Sequence, residues 1–115
     1  MVAGSYTPDR GDLVWVTFNP QSGREQAGRR PGVVLSPAFY NGASGLALVC
    51  PITSKAKGYP FEVALPSTGA IRGVALADQV KSLDWHTRRV EFAERAPRDF
   101  VVEVQEKIAI LLGVR

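Results

Sequence analysis

Apolar and polar positions along this chain fall into several short runs, most of them alternating, as in strands whose successive side chains point to opposite faces of a sheet. In Asp12–Phe18, Leu13, Trp15 and Thr17 share one face and Val14, Val16 and Phe18 the other. Both faces are largely apolar, which predicts a strand at the centre of a sheet or at an interface. Further strands are predicted at Pro31–Ser36 (around Val33, Val34 and Leu35), Leu46–Thr53 and Phe61–Leu65. A fifth is predicted at Gly73–Leu83, with Val74, Leu76, Val80 and Leu83 as its apolar positions, and a sixth at Arg88–Glu94.

The segments between them lack this pattern. Asn19–Arg30, reading NPQSGREQAGRR, contains no large apolar residue and predicts a mobile loop. It is long against the usual ~2–6 residues, and loops of that length in compact domains are commonly functional or disordered. Its three arginines and one glutamate favour function. Pro37–Gly45 reads as a turn, on the strength of its Asn41–Gly42 pair. Ser54–Pro60 is a polar loop carrying Lys55 and Lys57.

After Arg95 the period changes to that of a helix. Phe100, Val101, Val104, Ile108, Leu111 and Leu112 recur at helical spacing, with Glu103, Glu106 and Lys107 between them. Pro97 suits a first helical position, Asp99 complements the helix dipole, and Gly113 is a stop. Six short strands and a C-terminal helix predict a mainly β fold: a strongly bent antiparallel barrel with the helix packed on it.

Composition narrows the function classes. The 115 residues suit one domain, 1–115. No internal repeat, low-complexity tract or ~20-residue apolar span is present, so no membrane crossing by a helix is expected. Met1–Asp12 lacks the apolar stretch of a signal peptide, and the expected location is the cytoplasm. The net charge of +3 is compatible with a nucleic-acid partner and equally with a protein that is simply basic. The one cysteine, Cys50, sits in an apolar run and reads as a small core residue. The one histidine, His86, reads as a surface residue beside Trp85. With no His pair and no His/Cys cluster, neither imidazole acid–base catalysis nor a metal site is predicted, and no cofactor.

The remaining candidates are polar side chains at strand ends. Pro31 biases Arg30 towards extended backbone, which puts Arg30 at the loop–strand junction. Thr53 ends the third strand, two residues after Pro51, which marks an edge or strand end. A guanidinium and a hydroxyl on neighbouring strand ends would form a phosphate clamp. On local grounds alone the plainer reading leads: Arg30 as a surface ion pair and Thr53 as a turn hydroxyl.

Several blocks together resemble the MazF/PemK family of bacterial toxins. They are Gly11–Asp12 leading into Val14–Trp15–Val16, Glu25–Gln26–Ala27–Gly28 before Arg30–Pro31, Pro51–Ile52–Thr53–Ser54, Lys57–Gly58–Tyr59–Pro60–Phe61–Glu62–Val63, and Asp78–Gln79–Val80–Lys81–Ser82. The resemblance implies an SH3-like β-barrel with a C-terminal helix, as in CcdB and PemK. It implies a homodimer that binds single-stranded RNA across the two subunits and cuts it at a short sequence, leaving a 2′,3′-cyclic phosphate or 3′-phosphate and a 5′-hydroxyl. It also implies a cognate MazE-like antitoxin that blocks the groove. The family's catalytic arginine and threonine match Arg30 and Thr53, and its loop glutamate matches Glu25. Phe18, Gln26, Arg29, Lys57 and Gln79 are the candidate RNA contacts, with Phe18 equally a core residue and Lys57 equally a solvated charge. Two alternatives stand beside this one. A gyrase-inhibiting toxin of the CcdB type would need a Trp-Gly-Ile end, whereas this chain ends Leu112–Gly113–Val114–Arg115. The other is an inactive SH3-like binding module.

Overall fold

The computed structural model describes residues 5–18 and 28–115. Among these residues seven strands and two helices follow in the order β1 (Asp12–Phe18), β2 (Gly28–Val34), α1 (Ala38–Ser44), β3 (Leu46–Thr53), β4 (Glu62–Ala64), β5 (Val74–Leu76), β6 (Lys81–Asp84), β7 (Glu91–Arg95) and α2 (Arg98–Leu112), with a 3₁₀ turn, Ala77–Gln79, between β5 and β6. All strand pairs are antiparallel. The sheet runs β4-β5-β3-β2-β1-β7, with β6 also on β3. The mainly β architecture with a C-terminal helix is as predicted, but β4 and β7 do not pair, so the sheet is open rather than closed into a barrel.

The two apolar faces of β1 each bury against a separate cluster. Leu13 joins Val33, Cys50, Ile52, Val63, Ala75 and the α2 residues Phe100, Val101 and Val104. Val14, Val16 and Phe18 join Val34, Ala47, Val49, Leu83 and Trp85 on the other side. On the first face only Leu13 is buried in a core, while Trp15 is 41% exposed. β1 lies between β2 and β7, the central place its pattern predicted.

Other segments depart from the sequence reading. Pro37–Gly45 is not a turn but a helix: Pro37 is extended at its N-terminal boundary, and Gly45, not Gly42, takes the left-handed conformation that ends it. Asn41 is fully buried, and its side chain is used inside the fold. Its Nδ2 donates to the carbonyls of Pro8 (2.8 Å) and Ser36 (2.9 Å), and its Oδ1 accepts from Ser36 Oγ (2.6 Å). Trp85 Nε1 donates to the Asn41 carbonyl at 2.9 Å, tying α1 to the end of β6.

The predicted fifth strand is two strands broken by the 3₁₀ turn, because β3 takes them at different places. β5 pairs at Ile52 and Thr53, and β6 at Leu46–Val49. β2 begins at Gly28, so Arg30 lies within the strand and not at its junction with the loop. Pro51 is likewise interior, opposite Gly32, where its missing N–H is tolerated. The sixth predicted strand starts at Glu91, since residues 85–90 form a turn with Arg89 in the left-handed region (φ 55°). Pro97 caps α2 with extended backbone instead of being its first helical residue.

Cys50 is fully buried, and burial first, then the nearby Asp78 charge, pushes its thiol from an ordinary 9.0 up to about 12. A thiol whose folded pKa is raised stabilises the fold fully below the unfolded value, and that contribution is lost as pH rises towards the folded one. Between pH 8.5 and 10.5 the stability advantage of wild type over Cys50→Ala is expected to shrink by roughly 2 kcal/mol in urea titrations. A difference independent of pH across that interval would count against the buried-thiol assignment.

Candidate active site

The β2–β3 ladder pairs Val34 with Val49, Val33 with Cys50 and Gly32 with Pro51. The ladder ends there, and Arg30 and Thr53 each stand two residues beyond its last pair. On its other side Arg30 stands opposite Val16 of β1. Side chains two apart share a face, so Arg30 and Thr53 lie on the face of Val34 and Val49, at one end of the second core. Gly32 lets the strands approach there: a Cβ on it would come within 2.6 Å of Val49 Cγ1 and 3.3 Å of Val16 Cγ1.

Thr53 is buried, with 6% of its surface exposed. Its Oγ1 accepts the N–H of Lys55 at 3.1 Å, a local turn that fixes the hydroxyl and leaves its proton to donate elsewhere. The following loop is held by Glu62, whose carboxylate accepts the N–H groups of Lys57 (3.0 Å) and Gly58 (3.0 Å). Lys107 Nζ donates to the Pro60 carbonyl at 2.7 Å, tying the same loop to α2. The Lys57 side chain is exposed. Glu62 was not singled out in the sequence, since nothing local distinguishes a loop-holding carboxylate from a solvated one.

The other candidates divide. Glu25 and Gln26 lie outside the described residues. Gln79 ends the 3₁₀ turn, half-buried, between the strands that pair with the two ends of β3. Phe18 is corrected: it is fully buried in the second core and offers no ring face for a base to stack on. Arg29 does not join Arg30. Alternation turns it to the opposite face from Arg30, where Nη1 donates to Thr17 Oγ1 (3.1 Å), Nη2 donates to the Arg89 carbonyl (2.9 Å), and the guanidinium pairs with Glu91. His86 is exposed and stacks on Trp85 with ring centroids 3.9 Å apart. Among the described residues no group of three or more His, Cys, Asp or Glu side chains could hold a metal ion. None of the helices described is long and apolar enough to cross a membrane.

The sequence model of the PemK-like, MazF-like toxins of type II toxin–antitoxin systems matches residues 9–112. The chain belongs to this family. It is 50% identical to the endoribonuclease toxin MazF of Escherichia coli K12 over 109 residues, 94% of this chain and 96% of that one. It is 32% identical to the Escherichia coli endoribonuclease PemK over 108 residues, 90% of this chain and 81% of that one. In structure it resembles crystalline MazF from Deinococcus radiodurans with a TM-score of 0.91 and 57% identity, covering 95% of this chain and 99% of that one. A MazE–MazF crystal structure from the same organism matches with a TM-score of 0.85 and 51% identity, covering 96% and 100%.

Proposed function

We propose that this chain is an endoribonuclease toxin that cleaves single-stranded RNA at a short sequence, without a metal, with Arg30 and Thr53 in contact with the scissile phosphate. What supports this is their position two residues beyond the last β2–β3 pair, at the same end of it, in a member of a family whose curated relatives are endoribonucleases. RNA brings its own nucleophile. The 2′-oxygen attacks phosphorus while a base takes its proton, the P–O5′ bond breaks, and the departing 5′-oxygen is protonated, leaving a 2′,3′-cyclic phosphate and a 5′-hydroxyl. Arg30 supplies a planar cationic fork for the equatorial phosphorane oxygens. Thr53 donates its hydroxyl to one of them. Glu25 is the chemically easier base, because a guanidinium with a pKa above ~12 stays protonated.

By the same likeness the chain works as a single-domain homodimer in the cytoplasm and is neutralised by a MazE-like antitoxin. The last turns of α2 leave Ile110, Leu111 and Leu112 exposed, an apolar strip that a second copy would cover. The test is incubation of purified protein with a long RNA and mapping of the new 5′ ends, with and without excess EDTA. Discrete cuts bearing 5′-hydroxyls, undiminished by EDTA, are the expected result. A strict magnesium requirement would overturn the metal-free mechanism, and intact RNA would overturn the nuclease.

A further inference from the structure

A cavity of about 430 Å³ between the start of β1 and the flank of α2 is lined by Arg10, Arg95 and Arg98. Arg98, Val101, Val102 and Gln105 recur at three- and four-residue steps, which puts them on one flank of α2, and that flank is one wall. Arg10 and Gly11, just before β1, and Arg95 and Ala96, at the end of β7, form the other. Two of the guanidiniums are held in place. Arg10 Nε donates to the Leu35 carbonyl at 2.8 Å, and Arg95 Nη1 donates to Asp12 Oδ1 (2.6 Å) and the Arg10 carbonyl (3.1 Å). Gly11, at φ +94°, leaves room for Arg95, since a Cβ there would sit 3.1 Å from its Nη2. Among the described residues the side chains of Arg98 and Gln105 have no hydrogen-bond or ion-pair partner. None of the lining residues is acidic, and Asp12 neutralises one of the three cations. Asp9, next to Arg10, is engaged by the N–H groups of Arg10 and Ala38. The cavity is remote from Arg30. Arg95 stands opposite Asp12, whereas Arg30 stands opposite Val16 on the other side of β1, ~13 Å further along that strand.

We propose that this cavity binds a nucleoside di- or triphosphate, at a site separate from Arg30 and Thr53. Its volume falls within the ~300–1,000 Å³ of small-ligand pockets, more than a bare phosphate fills. Guanidinium forks suit phosphate oxygens, and two of the three are positioned before a ligand arrives, so less freedom is lost on binding. Ala96 and the exposed Val102 offer an apolar wall to the flat face of a base. Gln105 carries a donor and an acceptor side by side, the pair that matches the amino group and ring nitrogen of adenine. Arg98 and Gln105 are two turns apart on α2, ~10 Å along its axis, a separation like that between the phosphates and the base of a nucleotide. An acidic peptide would answer the charge but would leave the Gln105 amide and the apolar wall without fitted partners.

The experiment is calorimetric titration of the purified protein with ADP, pyrophosphate and poly-glutamate, using wild type, Arg98→Met, Val102→Glu and Arg30→Ala. ADP is expected to bind wild type, and pyrophosphate, which lacks the nucleoside, at least about tenfold more weakly. Arg98→Met should weaken ADP about tenfold, the loss of one charge-assisted contact. Val102→Glu sets a carboxylate on the exposed wall and should abolish binding. Arg30→Ala should bind ADP as wild type does, because the two sites are separate. Both altered cavity positions are exposed, so the fold should survive, and melting without ligand checks this. Should Arg98→Met melt early, Arg98→Gln is read by the same criteria. Absence of ADP binding overturns the proposal, as does wild-type affinity in either cavity variant. Loss of ADP binding in Arg30→Ala would move the nucleotide to the RNA site. Pyrophosphate as tight as ADP would leave a plain anion site, and poly-glutamate tighter than ADP would give the cavity to a protein partner; each of these three results overturns the nucleotide assignment.

Discussion

Arg30→Ala is expected to lower kcat by at least ~10²–10³-fold, the usual cost of removing a preorganised donor from a developing oxyanion. The fold should survive. Arg30 is half-buried near the start of β2, two residues outside the paired stretch Gly32–Val34 and outside both apolar clusters. Arg30→Lys should recover part of the rate, since an ammonium keeps the charge but loses the planar fork. Single-turnover cleavage with saturating enzyme isolates the chemical step, and circular dichroism confirms the fold. Near wild-type cleavage by Arg30→Ala would remove Arg30 from the centre of the mechanism.

Gly73→Ala is the second large effect, and it reaches the same site through the backbone. Gly73 has φ +126°, which side-chain-bearing residues rarely adopt, and a Cβ there would lie 2.1 Å from the Thr53 carbonyl oxygen and 2.7 Å from its carbon. Neither atom can rotate away. β5 would have to lift from the end of β3, giving up the Ile52↔Ala75 and Thr53↔Val74 pairs and straining the 2.9 Å bond from Leu65 N–H to the Gly73 carbonyl. A loss of ~3 kcal/mol or more is expected from strain and broken pairing combined, with cleavage reduced even where the protein remains folded, because Thr53 moves. Gly69→Ala is the control. Its Cβ would meet first the Glu94 carboxylate, the far end of a side chain that can swing aside at the cost of its 3.3 Å bonds from the Ala70 and Ile71 N–H groups, a smaller loss than a backbone clash. Urea midpoints for the two variants, read beside their cleavage rates, decide the matter, and equal midpoints would refute the backbone clash.

The strands with two apolar faces, and the helix with a period of its own, were legible to the residue. β1 and β3 occupy the ranges their patterns predicted, and α2 ends at Gly113, which adopts the left-handed conformation expected of it (φ 78°). The misreadings share a cause, which is that local signals were answered by distant partners. Asn41–Gly42 signals a turn in isolation, yet the Asn41 amide is held by Pro8 and Ser36 and its backbone continues a helix. Gly73–Leu83 reads as one apolar run, yet β3 accepts it in two places and the chain bends between them. Phe18 was open to two readings until burial placed it in a core.

Sequence by itself determined the family, the strand-rich fold with its C-terminal helix, and the chemical types available at the site, because these follow from residue identity and spacing. Tertiary structure decided which of them meet. Arg29 and Arg30 are neighbours in the chain and alike in chemistry. The period of two in β2 turns Arg29 to Glu91 and Arg30 to the face of Thr53, and the partner across β2 is set by the register with β3. The Val49↔Lys81 pairing joins residues 32 apart in sequence, and no local pattern announces it. Register is a property of two strands at once, so it cannot be read from either alone.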